Sequence, residues 1–244
     1  KGVTGTMATF MRRLGAAERA ADSRTARSVR RAAGRRRAAG KAGAPPSLPR
    51  LRRSVTIGRM ALKSTIHKAE LSGSDIDRGH YANHTLTIAR HPSETEERMK
   101  VRVIAFALHA DEQLAFGGGV STEDEPALWR KDLTGSVEEW IEVGLPEERR
   151  VRRASGVADR VFVYTYGGRG ADLWWKQNAT ELARLANLTV VNLPYESTQA
   201  LAKLAQRNMK LDCTIQEGQV WLSDGAESVA VEPQVWQVVA PARR

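Results

Sequence analysis

Every tryptophan and tyrosine of this 244-residue chain lies beyond residue 59, six of the first and four of the second. A stretch without large side chains buries too little apolar area to offset the entropy of ordering its backbone. Any core must therefore be built from residues 60–244. Charge divides at the same place. Residues 1–59 carry 16 Lys and Arg against Glu18 and Asp22, a net +14; the rest carries 22 basic and 26 acidic residues, a net −4. The overall +10 taken alone suggests a binder of nucleic acid or anionic membrane, but it belongs to the first segment.

Residues 1–59 are rich in Arg, Ala, Gly and Pro, with Phe10 as their only aromatic. They are expected to be a disordered extension, and residues 60–244 one domain. Three readings of the extension compete: a basic arm for nucleic acid, densest at Arg35-Arg36-Arg37; an Arg-rich, acid-poor organellar transit peptide; and translated GC-rich DNA upstream of a natural start at Met60. The lone Cys213 permits neither an intramolecular disulfide nor a cysteine zinc cluster, which points to a reducing, cytoplasmic setting. The longest apolar run, Val103–Leu108, is far short of the roughly 18 residues of a membrane span, so no membrane partner is expected.

Within the body, residues 62–70 and 85–89 read as strands separated by Ser-Gly and Asp-Arg-Gly clusters. Ser93 with Glu96 three residues on forms a capping-box pattern ahead of a helix whose apolar face is Met99, Val103, Ile104, Ala107 and Leu108. Residues 113–119 read as a short strand and loop. Residues 127–131 and 137–143 are paired strands around Asp132-Leu133-Thr134-Gly135, a type I turn signal. A helix follows Pro146. Residues 161–166 and 188–193 are buried strands alternating with helices over 171–186 and 197–207. The chain closes in a meander over 209–215, 220–222 and 228–231. Helices alternating with strands, flanked by hairpins, define a single mixed-sheet α/β domain.

Several strong chemical motifs are absent. Gly117-Gly118-Gly119 lacks the Lys and helix of a phosphate loop, there is no Gly-x-Ser-x-Gly, and the five histidines have no metal-ligand spacing on one helix. Cys213 alternates with apolar residues and reads as core. The carboxylates say more. On the strand 137–143, Val137, Glu139, Ile141 and Val143 share one face and Glu138, Trp140 and Glu142 the other. A carboxylate on a central strand needs a cation or a metal, which singles out Glu142, with a salt bridge or an exposed sheet face as the plainer role. Glu97 lies in a helical row with Val101, Ile104 and Leu108, or serves only the helix dipole. Arg150 and Arg153 share one face of the next helix at i, i+3, within the run Arg149–Arg153, and suit phosphate as well as solvent. Leu173-Trp174-Trp175 at a helix start reads as core, or as a base-stacking surface.

Met60-Ala-Leu-Lys63 with Thr65-Ile66, the run Ala89–Met99, Ala105–Ala110, Asp124-Glu125-Pro126, Leu128-Trp129, Trp140–Gly144 and Trp221–Asp224 resemble the YaeQ family from Met60 to about Trp236. The resemblance implies a bacterial cytosolic protein with a compact variant of the PD-(D/E)XK restriction-endonuclease-like fold. In that superfamily two strand carboxylates hold Mg²⁺ or Mn²⁺ and a Lys two positions after the second positions the attacking water. A Glu on the first helix often assists. By this resemblance Glu142 matches the strand acid and Glu97 the helix acid. Gly144 stands where the Lys would be; an Arg from the next helix would clamp phosphate but not act as a base. If Asp132 faces Val137 across the turn, Ala127 faces Glu142. The first strand acid is then Asp124 or Glu125 from upstream, or Asp132, which also suits a plain turn role.

Two functional expectations follow. One is a divalent-metal phosphodiesterase acting on nucleic acid, with Glu142, Glu97 and Asp132 or Glu125 at the metal and Arg149, Arg150 and Arg153 on phosphate. The other is an inactive scaffold that binds nucleic acid or a transcription-associated protein.

Overall fold

Alternating buried and exposed side chains from Thr65 onward build a long hairpin in the computed structural model, which describes residues 64–118 and 124–238. β1 (Thr65–Asp75) and β2 (His80–Arg90) pair antiparallel from Thr65↔Arg90 to Asp75↔His80. The turn is closed by Asp75, whose buried carboxylate accepts from the Arg78 amide at 2.9 Å and from Arg78 Nε at 2.6 Å. The other edge of β1 pairs in parallel with β8 (Asn208–Gln216). β8 continues antiparallel into β9 (Gln219–Ser223), and β9 into β10 (Ser228–Val231). The first sheet thus has the order β10-β9-β8-β1-β2.

The second sheet has the order β11-β7-β6-β5-β4-β3. Its middle strands β5 (Val137–Val143), β6 (Ala158–Thr165) and β7 (Leu188–Asn192) are parallel. Parallel neighbours require crossovers, supplied by the helices α2 (Glu148–Val157) and α3 (Arg169–Leu182). β3 (Leu114–Phe116), β4 (Leu128–Lys131) and β11 (Gln234–Gln237) flank them antiparallel. The expected mixed-sheet α/β domain is thus built on two mixed sheets.

α1 (Glu96–Leu108) joins the sheets. All ten residues Met99–Leu108 are buried, and the eight apolar ones share a cluster with Leu71 and Ile88 of the first sheet and Ile141 and Tyr164 of the second. α4 (Tyr195–Lys203) packs beside it. A second cluster, on the opposite face of the second sheet, sets Trp140, Val161 and Val163 against Val151 and Ala154 of α2 and Trp174 and Leu182 of α3. Burial on both faces explains why β6 and β7 are nearly continuous apolar runs.

The differences from the sequence reading have local causes. Thr95, not Ser93, caps α1, accepting from the Arg98 amide at 3.1 Å. Ser93 instead bonds His91 Nδ1 at 2.6 Å, in a turn that carries Glu94 inward to Arg98 and Arg102. The β4–β5 register holds for Leu128↔Ile141, Trp129↔Trp140 and Arg130↔Glu139, then slips so that Lys131, not Asp132, faces Val137. β11 went unrecognised. No helix among the described residues is long and apolar enough to cross a membrane. The expectations for residues 1–59 and for a start at Met60 lie outside the described residues.

Candidate functional site

Side-chain alternation sends Glu142 and Trp140 to the α2 face of β5. Glu142 is 4% exposed. Its Oε1 accepts from Trp140 Nε1 and from Arg150 Nε, both at 2.7 Å. Arg150 Nη2 donates to the Glu125 carbonyl at 2.7 Å, and Arg153 pairs with Asp124 at 2.8 Å. Glu125 Oε2 accepts from the Gly118 amide at 2.7 Å. Trp140, Glu147, Arg149, Arg150 and Arg153 line a cleft of about 540 Å³. The geometry follows from the helix period. Val151 and Ala154 anchor α2 to the sheet, which leaves Arg150 and Arg153 at i, i+3 along the cleft. Arg152 turns away to Glu148 and Glu181, at 2.5 and 3.7 Å.

Five expected residues therefore meet: Glu142, Glu125, Arg149, Arg150 and Arg153. Two do not. Asp132 sits at the far end of β5 in the turn, where its Oδ1 accepts from the Thr134 amide and hydroxyl and the Ser136 amide at 2.7–2.9 Å. The Thr134 hydroxyl, then the backbone amides, hold its carboxyl below the ordinary value. These bonds fit the plain turn role that its sequence position also suits. Glu97 lies on α1, across the sheet from α2, and accepts from Thr198 Oγ1 of α4 at 2.7 Å. It is not among the residues that line the cleft, and it lies within electrostatic reach of Tyr166, just past the end of β6.

The donor set at the cleft fits Mg²⁺ or Mn²⁺ poorly. Hard divalent cations need several oxygens converging at about 2.1 Å. Here Glu142 and Asp124 each carry an arginine, and Glu125 caps a backbone amide. Among the described residues no three His, Cys, Asp or Glu side chains are grouped to hold a metal ion. Gly144 disfavours any side chain at its position. Its φ is +109°, a conformation that a side chain strains.

A second ionic group, on the other face of β5, went unread. Glu139 is fully buried. Arg160 lies at 2.8 Å, His109 Nδ1 at 3.3 Å and Arg130 at 3.6 Å. His109 Nε2 bonds the Tyr164 hydroxyl at 2.7 Å. Burial would raise the Glu139 carboxyl, but His109, Arg160 and Arg130 outweigh it and hold the group down at about 2. Burial pushes the Tyr164 phenol above its ordinary value. The available signal was Glu139 itself, an acid between Val137 and Ile141 on the apolar face.

Two mixed sheets clamped on a buried helix, with an arginine-lined cleft at the strand ends, define the class as a mixed α/β domain. Residues 60–233 match the family model described as YaeQ protein, and the chain belongs to the YaeQ family. It is 43% identical over 178 residues to the uncharacterized YaeQ proteins of Escherichia coli (strain K12) and Salmonella typhi, covering 73% of this chain and 98% of each relative. Among solved structures, YaeQ of Xanthomonas axonopodis pv. citri is 48% identical with a TM-score of 0.70, over 72% of this chain and 99% of that one. YaeQ of Pseudomonas syringae is 41% identical with a TM-score of 0.69, over 72% and 97%.

Proposed function

We propose that this protein binds nucleic acid through the cleft between β5 and α2, with Arg149 and Arg153 on phosphate and Arg150 as the fixed floor. The observation that carries this reading is three arginines on one helix lining a cleft large enough for a nucleotide, beside a buried indole. Arg150 is held by Glu142 and the Glu125 carbonyl, so its charge is positioned in advance. Arg153 exchanges an exposed partner, Asp124, for phosphate at little cost, because exposed ion pairs are worth about 0–1 kcal/mol. Arg149 is exposed and has no carboxylate partner among the described residues. Phosphate contacts of this kind position a strand without reading its sequence.

The phosphodiesterase reading keeps one supporting observation. Asp124, Glu125 and Glu142 all reach this cleft through Arg150 and Arg153. The order α1-β3-β4-β5-α2-β6 is the support for a restriction-endonuclease-like core. Against it, Glu142 and Asp124 are paired with Arg150 and Arg153 and Glu125 accepts from the Gly118 amide.

The test is binding of fluorescent single-stranded and duplex oligonucleotides to the full chain and to residues 60–244, the segment that spans nearly whole relatives. Arg149→Glu with Arg153→Glu should weaken binding to residues 60–244 at least about tenfold and flatten the salt dependence by about two phosphates. Unchanged affinity and salt slope would overturn the reading. Mg²⁺-dependent cleavage abolished by Glu142→Gln would establish the phosphodiesterase instead.

A further inference from the structure

A crevice far from the arginine cleft separates the open margins of the two sheets. β2 ends the first sheet and β3 ends the second. Between them lies a groove of about 200 Å³ lined by His84, Thr85, Leu86 and Thr87 on one side and Leu114, Ala115 and Phe116 on the other. Successive side chains of a strand point to opposite faces. A groove bordered by four consecutive residues of one strand and three of another is therefore bordered by backbone edges, not by sheet faces. Its floor is Phe106 of α1, stacked on Phe116 with ring centroids 5.6 Å apart. Its mouth carries Asp111 and Glu112.

We propose that this groove is a docking site for an extended, basic peptide segment of a partner protein, added as a strand between β2 and β3. Among the described residues neither strand has a partner on its groove side, and unpaired edge N–H and C=O groups are a template for strand addition. A strand seated here bonds both edges at once and makes one continuous sheet of the two. Apolar side chains on one face of the peptide reach Phe106 and Phe116. Side chains on the other face meet Thr85 and Thr87, both exposed. Charge selects the ligand. The groove offers the Glu112 carboxylate, beside Asp111, which already pairs with Arg130 at 3.2 Å; no Lys or Arg is among its lining residues, and burial first and His80 second bias its His84 to the neutral form. An Arg- or Lys-bearing segment is therefore favoured and an acidic one repelled. The site is independent of the nucleic-acid reading, since it shares no residue with the cleft.

The experiment uses the full chain and three synthetic peptides. One alternates Val and Arg, one alternates Val and Glu, and the third is the Arg peptide N-methylated at every second amide. Binding is read by fluorescence anisotropy, and location by amide hydrogen exchange at Thr85, Thr87 and Ala115. The Arg peptide should bind and slow exchange at these strands, and the N-methylated form should not. Glu112→Lys, a surface change, should weaken the Arg peptide at least about tenfold. The Glu peptide, attracted to residues 1–59, should raise anisotropy without protecting β2 or β3. Three results overturn the proposal: equal protection by Arg and Glu peptides, no protection by the Arg peptide, or protection of β2 that arises from self-association, seen as a doubled mass in light scattering.

Discussion

Glu139 and Glu142 stand three positions apart on β5 and meet opposite environments. Glu139 faces α1 and the first sheet, closed in by Arg160, His109 and Arg130. Glu142 faces α2 at the wall of a cleft, with one arginine and one indole N–H. Both are buried and both are paired, yet only the partners of Glu142, Trp140 and Arg150, line space that a ligand can enter. A buried carboxylate on a strand thus marks a need for cations, and the neighbouring volume decides whether it also marks a site.

The largest effect is expected on the closed side. Glu139→Ala leaves His109, Arg160 and Arg130 around an uncompensated centre and should cost about 3–5 kcal/mol, read by urea denaturation. The same residue sets an acid limit. Its folded carboxyl is depressed, so its stabilisation is complete above its unfolded value near 4.5 and is lost as pH falls toward about 2. Denaturation midpoints should decline over that window in the parent and decline less in Glu139→Gln; parallel curves would remove the group from the acid response. Next comes Gly144→Lys, which places a side chain at a φ of +109°. It should lose about 1–3 kcal/mol and gain no hydrolysis.

On the open side Glu142→Gln should cost only about 1–2 kcal/mol, because Trp140 keeps an acceptor. Its sharper readout is oligonucleotide affinity, which should hold or rise as Arg150 is released from its counter-charge. A fall to background would show that the Glu142 carboxylate is needed to hold Arg150 in place. The smallest effect is expected of Asp132→Ala, a change in an exposed turn. Oligonucleotide affinity should stay at the parent value, and a shift in melting temperature should be below that of every other variant.

Much of this architecture is legible along the chain. The faces of β5 follow from alternation, and three pairs of the β4–β5 register follow from the turn. β6 and β7 announce themselves as apolar runs. What escaped depends on distant partners. The capping site moved to Thr95 because Glu94 is drawn to Arg98 and Arg102, and nothing near Ser93 says so. Ten buried residues in succession on α1, Lys100 and Arg102 among them, follow from a helix gripped by two sheets rather than one. Lys100 accordingly has Met209 Sδ as its hydrogen-bond partner, at 3.5 Å, and burial lowers its ammonium to about 8 despite Asp224. At the candidate site, Glu142 with Arg150 was readable from helix and strand periods. The contact of Glu97 with Thr198 was not, since it joins α1 to α4 across 101 residues of sequence. Glu139 escapes a local reading because its partners come from β4, β6 and the end of α1.

The parallel pairing of β1 with β8 has a consequence for how the chain comes into being. His67 and Gln206, bonded at 2.8 Å, are 139 residues apart in sequence. On a ribosome adding roughly 5–20 residues each second, the β1–β2 hairpin emerges many seconds before the strand that flanks it. During that interval the apolar faces of Leu71 and Ile88 have only α1 to cover them, and one long margin of β1 stands open. Such non-local closure slows folding and makes the nascent amino-terminal half the part of this protein most in need of a chaperone.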